Sequence, residues 1–587
     1  MSSKDKNKFF AINKENWGHK WGFKDSRFVI NDDKTVTLTG NRYDMCGKKL
    51  PHMIPFVEKH LGIKIDRSDM KKENSVKIVK EKFINTTFLK ELTKLFDLDR
   101  FSTMDNERLI HSHGQTTSDE VYKVLYSQLE KFVDLVFYIE NENEVIKLID
   151  LAKTHHICLI PYGGGTSVTN ALQLPIKEKR MIVSIDTRRM NKIRSIDETN
   201  RLVTVEAGIT GKKLEEELNK KGFTAGHEPD SIEFSTVGGW ISTNAAGMKK
   251  HKYGNIEDIV QNTTMITPNG KINQLKPLTR SSIGIKTQNI LFGSEGNFGL
   301  ITEATLKIHK LPDVSAYESA LFKNWKEGKS FMYELSQANY IPASVRLMDN
   351  LMLQLGQALK AEKKGLQKQL DKIKQFILID IKGFRPDKLV AVTFKMEGTS
   401  VEVNYQKENL TKLATKHGGI MSGESIGKSG YRATAAIAYI RDFLFDYHFI
   451  GETMETSIPW SDIDKVRENA RACFFKLHKK HNLPGKPFFC SRMTKVYHTG
   501  ACLYTTLAIS TRDINNPEDV FSEIEHEVRK NIMSNGGSIS HHHGVGKLRK
   551  DFMDETLSGG SIELLKNIKR TEDPKNIFGV KNNIFSD

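Results

Sequence analysis

The sequence has few cysteines and no long apolar run, and these absences exclude several kinds of protein. Only five of its 587 residues are cysteines, and they are scattered too widely for a CxxC pair or the spacing of a zinc site. We therefore expect reduced thiols in an intracellular compartment. Apolar runs such as 376-FILIDI-381 fall far short of the ~18 residues that a membrane-spanning helix needs. The first residues, MSSKDKNKFF, lack the charged-then-apolar layout of a signal peptide.

The charge is strongly positive, although no nucleic-acid-binding motif accompanies it. The formal net charge is +16, and lysines recur along the chain, as in 361-AEKKGLQKQLDKIK-374. Such lysines indicate a solvated basic surface, or attraction to anionic substrates or to a membrane surface. Because no recognised motif is present, we expect no nucleic acid as a partner. The length predicts two to four domains of ~150 residues each.

The hydrophobic pattern predicts an α+β fold. Residues 131–168 contain a strand (VDLVFYI), a helix (NEVIKLIDLAKTH), a second strand (ICLIPY) and a glycine loop, because apolar residues recur every three or four positions only in the middle segment. The same patterns predict further strands at 181–187, 202–208, 388–398 and 501–510, and helices at 86–96, 209–222 and 559–569.

The glycine loop, 161-PYGGGTSVTN-170, follows a strand directly and suits a pyrophosphate. Successive glycines allow backbone N–H groups to turn inward, and the Thr and Ser add hydroxyl donors. The loop matches neither GxGxxG nor the P-loop pattern, and by itself it is equally typical of a plain turn.

Two later stretches, 226–254 and 293–308, favour a ligand. In the first of them, small residues stand where a flat cofactor would pass close to the backbone: Gly238, Gly239, Ser242, Thr243, Ala245, Ala246 and Gly247.

These stretches, in this order, resemble the vanillyl-alcohol oxidase type of FAD-binding domain. In that family the glycine loop holds the pyrophosphate and the later motifs line the adenine and the flavin. The resemblance implies FAD contacts at Pro161, Tyr162, Gly163, Gly164, Gly165, Thr166, Ser167, Asp230, Ser231, Ile232, Glu233, Phe234, Ser235, Thr236, Thr243, Asn244, Ala245, Ala246, Glu295, Gly296, Asn297, Phe298, Gly299, Leu300 and Ile301. Members that tether flavin covalently often carry a histidine right after the loop's glycine pair. Gly165 and Thr166 stand there in this chain, which implies non-covalent FAD.

One branch of this family, the D-lactate and 2-hydroxyglutarate dehydrogenases, holds a metal with histidines from HxGDGNxH and the glutamate of GGSxxxEHGxG. Here the first motif reads HTGACLYT, with Ala501 at the aspartate position and Thr505 at the second histidine position. The second reads GGSISHHHGVG, with His542 at the glutamate position. His541 and His543 would share a face on a strand and could still chelate together. Because a metal site needs three or more ligands, we expect no metal.

Longer stretches resemble a different branch, the alkyldihydroxyacetonephosphate synthases, which make ether lipids such as plasmalogens. They are 344-SVRLMDN-350, 440-IRDFLFDYHFIGETMETSIPW-460, 493-MTKVYHTGACLYTT-506 and the triple histidine, and the resemblance runs from about residue 110 to the C-terminus. These enzymes exchange the acyl chain of acyl-dihydroxyacetone phosphate for a long-chain fatty alcohol, with FAD as a covalent partner that undergoes no net redox change. The resemblance therefore implies a transferase with these substrates.

The resemblance also implies catalytic roles for four aromatic side chains. It maps the base that removes a proton beside the substrate ketone onto Tyr497. A phenol titrates near ~10, so a base here needs positive charge or hydrogen bonds that favour the phenolate, supplied by neighbouring histidines and arginines. His541, His542 and His543 are implied to assist by proton transfer or by hydrogen bonds to phosphate and tyrosine. Without the resemblance, Tyr497 is typical of a core tyrosine.

Two arginines in apolar surroundings are implied to bind anionic groups. By resemblance Arg441 contacts the substrate, and Arg346 takes part in catalysis close to the flavin. A guanidinium pairs well with a phosphate or a departing carboxylate. The alternative for Arg441 is a partly buried ion pair with Asp442 or Asp446.

Two long alkyl chains must bind in turn, which predicts an apolar channel in the cap domain, opening near a membrane. The basic surface fits a peripheral membrane contact, and the family suggests a homodimer. The family is peroxisomal, but the chain ends in IFSD, which is not SKL-like. A peroxisomal location therefore rests on resemblance alone.

Two alternative functions are carried alongside. A FAD-dependent D-2-hydroxy-acid dehydrogenase would be recognised by bleaching of its flavin with a D-2-hydroxy acid. A lipid-binding protein with a catalytically dead flavin fold would be colourless and impossible to reconstitute with FAD. The intact glycine loop, Tyr497 and Arg441 argue against the second alternative.

Pattern and resemblance together predict four parts of the chain. The first is a mostly helical N-terminal region (1–125), followed by a two-subdomain FAD-binding domain (126–311). A sheet-based cap domain for the substrate (312–545) and a C-terminal helical segment with a tail (546–587) complete the chain.

Overall fold

The computed structural model describes residues 14–74, 79–362, 377–432 and 436–585. Most of the lysine-rich stretch 361–374 and both chain ends lie outside the described residues. The described elements form five sheets with surrounding helices, which confirms the predicted α+β class. Among the described helices, none combines the length and the apolar character needed to cross a membrane.

The N-terminal part contains a small antiparallel sheet that the sequence patterns did not predict. Its strands are β1 (Phe28–Ile30), β2 (Val36–Leu38) and β3 (Lys49–Leu50). Four helices accompany it, α1 (Met53–Leu61), α2 (Thr86–Leu95), α3 (Asp105–Ile110) and α4 (Ser118–Tyr126). Buried Phe28 and Met53 share one apolar cluster with Phe443 and Phe488, which joins this part to the second half of the chain.

The predicted strand–helix–strand unit at 131–168 is confirmed. Its sheet contains β4 (Phe101–Ser102), β5 (Leu135–Tyr138), β6 (Cys158–Tyr162) and β7 (Ile182–Asp186), in the order β4-β5-β7-β6. β5, β7 and β6 run parallel, and α5 (Glu142–His155) provides the crossover between β5 and β6. The Asn141 side chain accepts a hydrogen bond from Glu144 N and so caps the start of α5.

A five-stranded antiparallel sheet forms the second half of the FAD-binding part. In the order β12-β11-β13-β9-β8, its strands are β8 (Ile193–Asp197), β9 (Leu202–Glu206), β11 (Val260–Thr267), β12 (Gly270–Ile272) and β13 (Leu300–Lys307). A two-stranded ribbon pairs β10 (Phe223–Thr224) with β14 (His309–Lys310). The helices are α6 (Gly211–Asn219), α7 (Val237–Thr243), α8 (Lys250–Tyr253) and α9 (Ile256–Ile259).

The second domain is built on a seven-stranded antiparallel sheet, in the order β18-β15-β17-β16-β20-β21-β19. Its strands are β15 (Val314–Phe322), β16 (Ser344–Met348), β17 (Val390–Gly398), β18 (Ile420–Met421), β19 (Phe449–Pro459), β20 (Phe488–Val496) and β21 (Gly500–Ser510). The helices are α10 (Trp325–Ser336), α11 (Asn350–Ala358), α12 (Ser400–Lys416), α13 (Glu424–Arg432), α14 (Ile437–Asp446), α15 (Ile463–Lys480) and α16 (Pro517–Ser534).

The C-terminal segment returns to the FAD-binding part after α17 (Gly559–Glu572). Leu159 N on β6 donates a hydrogen bond to Ile577 O at 2.8 Å, and Phe578 lies in the same buried cluster as Leu159. The last residues of the chain therefore pack against the sheet that carries the glycine loop. The four domain boundaries drawn from the sequence stay a prediction.

Candidate active site

A cavity of about 450 Å³ lies where the glycine loop, the cap sheet and helices α1, α11 and α14 meet. Predicted site residues that line it are Pro161, Gly164, Gly165, Thr166, Ser167, Asp230, Ser231, Ser235, Thr236, Thr243, Ala245, Ala246, Glu295, Gly296, Arg346, Arg441, His542 and His543. A smaller cavity shares part of this wall and adds Tyr162, Gly163, Gly299, Leu300 and Ile301. The structure thus brings most of the predicted site residues together.

Eight predicted residues line neither cavity, which no sequence pattern indicated. They are Ile232, Glu233, Phe234, Asn244, Asn297, Phe298, Tyr497 and His541. Phe234 packs against Trp21, and Glu233 accepts a hydrogen bond from Tyr43 at 2.7 Å. These two side chains therefore connect the FAD-binding part to the N-terminal part.

The glycine loop has the form that a phosphate-bearing cofactor needs. Gly165 has a φ of 71°, a conformation that residues with a side chain rarely adopt. A Cβ at Gly164 would collide with the Phe234 carbonyl oxygen, and a Cβ at Gly163 would lie 2.6 Å from Thr236 Oγ1. The loop can lie this close to the 234–236 segment only because it lacks side chains, and its residues fit FAD.

Glu295, predicted as a cofactor contact, also anchors the loop that carries the histidines. Its carboxylate accepts hydrogen bonds from Val545 N at 2.6 Å and from Gly546 N at 3.0 Å. Burial raises the pKa of Glu295, while these backbone N–H groups and nearby cations act in the opposite direction. The side chain therefore joins the predicted cofactor segment to the histidine loop.

Tyr497 lies in the short turn between β20 and β21. Its hydroxyl oxygen lies 2.6 Å from His541 Nε2, and Trp460 Nε1 donates to its carbonyl oxygen at 3.0 Å. Burial raises the pKa of the Tyr497 phenol above its ordinary value, the opposite of what a base needs. The cation over its ring is Lys250, whose Nζ lies 3.4 Å from the ring centroid, whereas the sequence pointed to histidines and arginines.

The three histidines lie in a loop rather than on a strand, so the alternation of a strand does not apply to them. His541 and His542 meet directly, with their Nδ1 atoms 2.9 Å apart. His543 faces another way, with Nε2 2.6 Å from the Tyr504 hydroxyl oxygen.

Glu455 on β19 anchors the histidine loop through hydrogen bonds. Its fully buried carboxylate accepts hydrogen bonds from Ser540 Oγ at 2.9 Å, His543 N at 3.1 Å and Arg549 Nη1 at 2.9 Å, and from His541 N. Burial acts to raise the pKa of Glu455, but the positive charge of Arg549 and the surrounding hydrogen-bond donors hold the pKa well below its usual range. Glu455 is therefore ionised at neutral pH.

The three imidazoles are neutral at the same pH. Burial, reinforced by the positive charge of Lys495, lowers the pKa of His541 to about 3 and that of His542 well below its usual range. Burial also lowers the pKa of His543 to about 3. A neutral imidazole has one donor and one acceptor nitrogen. If His541 Nε2 accepts from the Tyr497 hydroxyl, His541 Nδ1 must donate to His542 Nδ1, which gives a directed chain from the tyrosine to the cavity wall.

Glu455, Cys502, His541 and His542 place potential metal-ligand atoms within 4.8 Å of one another. Three observations argue against a metal there. Four donors already occupy Glu455, and the two imidazole nitrogens are engaged with each other. Burial also raises the pKa of Cys502 to about 11, so its thiolate is not formed at neutral pH. The absence of a metal stays a prediction.

Three buried cationic side chains, Arg346, Arg492 and Lys495, line the cavity. Nη2 of each arginine lies 3.9 Å from an oxygen of Asp230. Arg492 Nε is buried without a hydrogen-bond partner among the described residues. Burial lowers the pKa of Arg346 and of Lys495, since a charge without a close partner is poorly stabilised away from water. This cluster is suited to an anion.

Arg441 lies on the cavity wall, but most of its donors are already used. Nη2 donates to Gln115 O at 3.0 Å, Nη1 donates to Thr116 O, and Asp442 Oδ1 accepts from Nη2 at 2.6 Å. Asp442, the first of the two partners considered from the sequence, is thus the ion-pair partner. Arg441 fixes α14 to the turn at 115–116, and its role toward substrate stays a prediction.

The far end of the cavity is apolar. Its lining residues come from three helices and from the cap sheet: Met53, Phe56, Val57, Leu61, Met352, Leu355, Ile440, Leu444, Phe488 and Leu507. The N-terminal helix α1 contributes to this wall, whereas the sequence placed the apolar channel in the cap domain alone.

Sequence reasoning missed five side chains of this site, namely Lys250, Glu455, Arg492, Lys495 and Tyr504. Four of them lie on buried strands, where a charged residue in an apolar run signals a special environment. Four of the five fall within stretches that were singled out for their motifs, and Arg492 directly precedes one of them, but nothing in the pattern shows which residues converge.

The chain is similar to proteins of known family and structure. Residues 133–276 match the family model described as FAD binding domain, and residues 311–581 match the model described as FAD linked oxidases, C-terminal domain. The chain is 40% identical to the alkyldihydroxyacetonephosphate synthase of Caenorhabditis elegans, over 96% of this chain and 94% of that protein. It is 29% identical to the synthase of that name from Dictyostelium discoideum, over 95% and 92% of the two chains. A solved structure of an alkyldihydroxyacetonephosphate synthase superposes with a TM-score of 0.84 at 26% identity, covering 96% of this chain and 98% of that one.

Proposed function

The chain belongs to the alkyldihydroxyacetonephosphate synthase family, and we propose that it exchanges the acyl chain of acyl-dihydroxyacetone phosphate for a long-chain fatty alcohol. The enzyme is a FAD-containing transferase that forms the ether bond of ether lipids. The observation that carries the proposal is the phenol–imidazole pair Tyr497–His541 at 2.6 Å, next to a cavity that joins the FAD cradle to buried cations and an apolar arm.

The cofactor is held by shape and backbone contacts rather than by a covalent link. Gly165 and Thr166 follow the loop's glycine pair and offer no imidazole for attachment. FAD, when bound, supplies a covalent partner for the substrate without a net transfer of electrons. The proposed contacts are those segments that line the two cavities.

Tyr497 acts as the base that takes the proton from the substrate carbon beside the ketone. The proton that arrives on the phenolate oxygen can move to His541 Nε2 only as His541 Nδ1 passes its own proton to His542 Nδ1, so that His541 stays neutral. Neutral imidazoles are needed for this role, since a protonated ring has no acceptor nitrogen. His543 orients Tyr504, and Glu455 holds the loop.

The cation cluster binds the phosphate of the substrate. Arg346, Arg492 and Lys495 carry three positive charges, and the carboxylate that approaches both arginines is Asp230. A phosphate dianion balances the two positive charges that Asp230 leaves uncompensated, and it accepts several hydrogen bonds, including one from Arg492 Nε. Arg441, which lines the same cavity, is proposed as a further contact to the substrate.

The apolar arm receives the two long chains in turn, the acyl chain before it leaves and the alcohol that replaces it. Because such chains reside in a lipid bilayer, we propose a peripheral membrane contact, which the basic net charge of +16 favours. A homodimer and a peroxisomal location are proposed from family membership alone.

The test is the exchange of labelled hexadecanol into acyl-dihydroxyacetone phosphate by the purified holoenzyme. Tyr497→Phe is expected to lower exchange by at least ~100-fold, the range of general base catalysis, while the protein stays yellow. His542→Ala is expected to reduce exchange by at least ~10-fold. Wild-type activity in Tyr497→Phe would remove the base role from this residue.

The dehydrogenase alternative is examined in the same preparation. Adding a D-2-hydroxy acid with a dye is expected to leave the flavin spectrum unchanged, and rapid bleaching would contradict a synthase. A colourless protein that does not bind added FAD would support a dead flavin fold instead.

A further inference from the structure

Lys250 lies on the face of the Tyr497 ring, although the two residues belong to different halves of the molecule. Lys250 begins the short helix α8 of the FAD-binding part, and Tyr497 lies in the β20–β21 turn of the cap domain. Lys250 Nζ is 3.4 Å from the ring centroid, well within the ~6 Å reach of a cation–π contact. The FAD-binding part therefore supplies a cation to the tyrosine of the cap.

Apart from Asn255, the other groups around Tyr497 do not favour its phenolate. Burial raises the pKa of Tyr497, a hydrogen bond from Asn255 acts against this, and the acidic groups of Cys502, Glu257 and Asp258 raise it further. His541, which faces the hydroxyl, is neutral because burial lowers its pKa to about 3. Lys250 is the cation in direct contact with the ring among the described residues.

We infer that Lys250 is a positioning residue that favours the phenolate of Tyr497 and thereby makes this tyrosine usable as the base. The inference rests on the proposed function. A cation over an aromatic face is attracted to the ring electrons, and the attraction grows when the hydroxyl loses its proton and the ring gains negative charge. In the proton-transfer step the C–H bond of the substrate breaks, its proton moves to the Tyr497 oxygen, and the electron pair stays on carbon.

Lys250 itself is poised near neutral pH. Burial lowers its pKa to about 8, assisted by Lys495, while Asp258, Cys502 and Glu257 act in the opposite direction. Near pH 7 the ammonium form therefore predominates. Removing the cation must raise the pKa of Tyr497 further, so the pH at which the exchange rate rises must move upward.

The experiment measures exchange between pH 6 and 10 for the holoenzyme and three variants. Lys250→Met keeps the length of the side chain and removes its charge, Lys250→Arg keeps a charge, and Lys252→Met is the matched control. Lys252 lies on the same helix but donates to Glu397 O, away from Tyr497. Flavin content and thermal unfolding are recorded for each protein.

For Lys250→Met we expect the exchange rate at pH 7.5 to fall by at least ~10-fold. The acidic limb of its pH–rate profile is expected to lie about one pH unit or more higher, because a tenfold change in the fraction of phenolate corresponds to one pH unit. Lys250→Arg is expected to restore most of the rate and the position of the limb, and Lys252→Met to behave as wild type. If the Met variant does not retain flavin, Lys250→Gln replaces it.

Two outcomes would overturn the inference, and they are distinguishable from failure of the proposed function. An unchanged pH limb in Lys250→Met, or a limb in Lys250→Arg shifted as far as in Lys250→Met, would show that charge at this position does not act on Tyr497. Either outcome counts against the inference only if the Tyr497→Phe variant is inactive, because only then is Tyr497 the base. If Tyr497→Phe is active, the base assignment fails, and the role of Lys250 fails with it.

Discussion

At the scale of single residues, the site depends on groups whose ionisation is set by burial and by one carboxylate. Glu455 receives four hydrogen bonds, from Ser540, Arg549 and the backbone of His541 and His543. A buried carboxylate with this many donors stays charged. Glu455 fixes the loop geometry that brings His541 to Tyr497. Glu455 touches neither substrate nor cofactor, yet it positions the proton chain.

Glu455→Gln is expected to destabilise the protein by about 3 kcal/mol, because Arg549 would be left as an uncompensated buried charge. Exchange activity is expected to fall with it, since the histidine loop loses its anchor. Chemical denaturation of the holoenzyme measures the change. The matched control is Glu563→Gln, which removes an exposed ion pair with Arg570 and is expected to cost less than about 0.5 kcal/mol. Equal stability of the two variants would contradict the anchoring role.

At the scale of elements, the site is assembled from the turn between β20 and β21 and from the loop at 538–549. Glu455 holds this loop near its histidines, and Glu295 holds it at Val545 and Gly546. Gly546 has a φ of 55°, and Thr169 O lies where its Cβ would stand. A glycine at this position lets the histidine loop pack against the end of the glycine loop.

Gly546→Ala is expected to displace the histidine loop, because the colliding atom belongs to the backbone and cannot rotate away. We expect at least a ~10-fold loss of exchange together with lower thermal stability, since an alanine at positive φ is strained by about 1 kcal/mol or more. Gly560→Ala provides the control, because nothing lies within 4 Å of its Cβ position and alanine favours the helix. Wild-type exchange in Gly546→Ala would show that the loop tolerates movement.

At the scale of the whole molecule, buried histidines make stability depend on pH. Burial lowers the pKa of several of them, to about 4 for His113, to about 3 for His227 and His251, and likewise in the His541–His543 triplet. Burial acts in the opposite sense on carboxyl groups, raising the pKa of Glu120 to about 8 and that of Glu452 to about 7.

These shifts predict lower stability at pH 5 than at pH 7. A histidine with a depressed folded pKa contributes fully above its unfolded value near ~6.5, and the contribution is lost as the pH falls toward the folded value. Carboxyl groups with a raised pKa add stability that is lost as pH rises through the folded pKa, so they oppose this trend. The large shifts among them, to about 8 for Glu120, about 7 for Glu452 and about 6 for Asp446, are fewer than the large shifts among the histidines. We expect a melting temperature at least ~5 °C lower at pH 5, measured by calorimetry of the holoenzyme. An equal or higher value at pH 5 would contradict neutral buried histidines.

Local order was largely predictable from the sequence. The segment 131–168 folds as strand, helix and strand because two short, nearly continuous apolar runs flank a segment with helical apolar spacing, a property of neighbouring residues alone. The position of the glycine loop was also predictable, since consecutive glycines after a strand permit a tight turn that other residues cannot adopt. The three short strands β1 to β3 were not predictable, because strands of two or three residues carry too little pattern.

The motifs of the site are legible in the chain alone: the glycine loop, the small residues after it, Tyr497 and the triple histidine. Which charges meet at these motifs depends on the tertiary structure. Glu455 below the histidines, Lys250 above Tyr497, and Arg346 beside Arg492 come from strands and helices far apart in the chain. The physical reason is that burial and long-range charge contacts set the ionisation of each group, and these depend on packing between elements that no local pattern encodes.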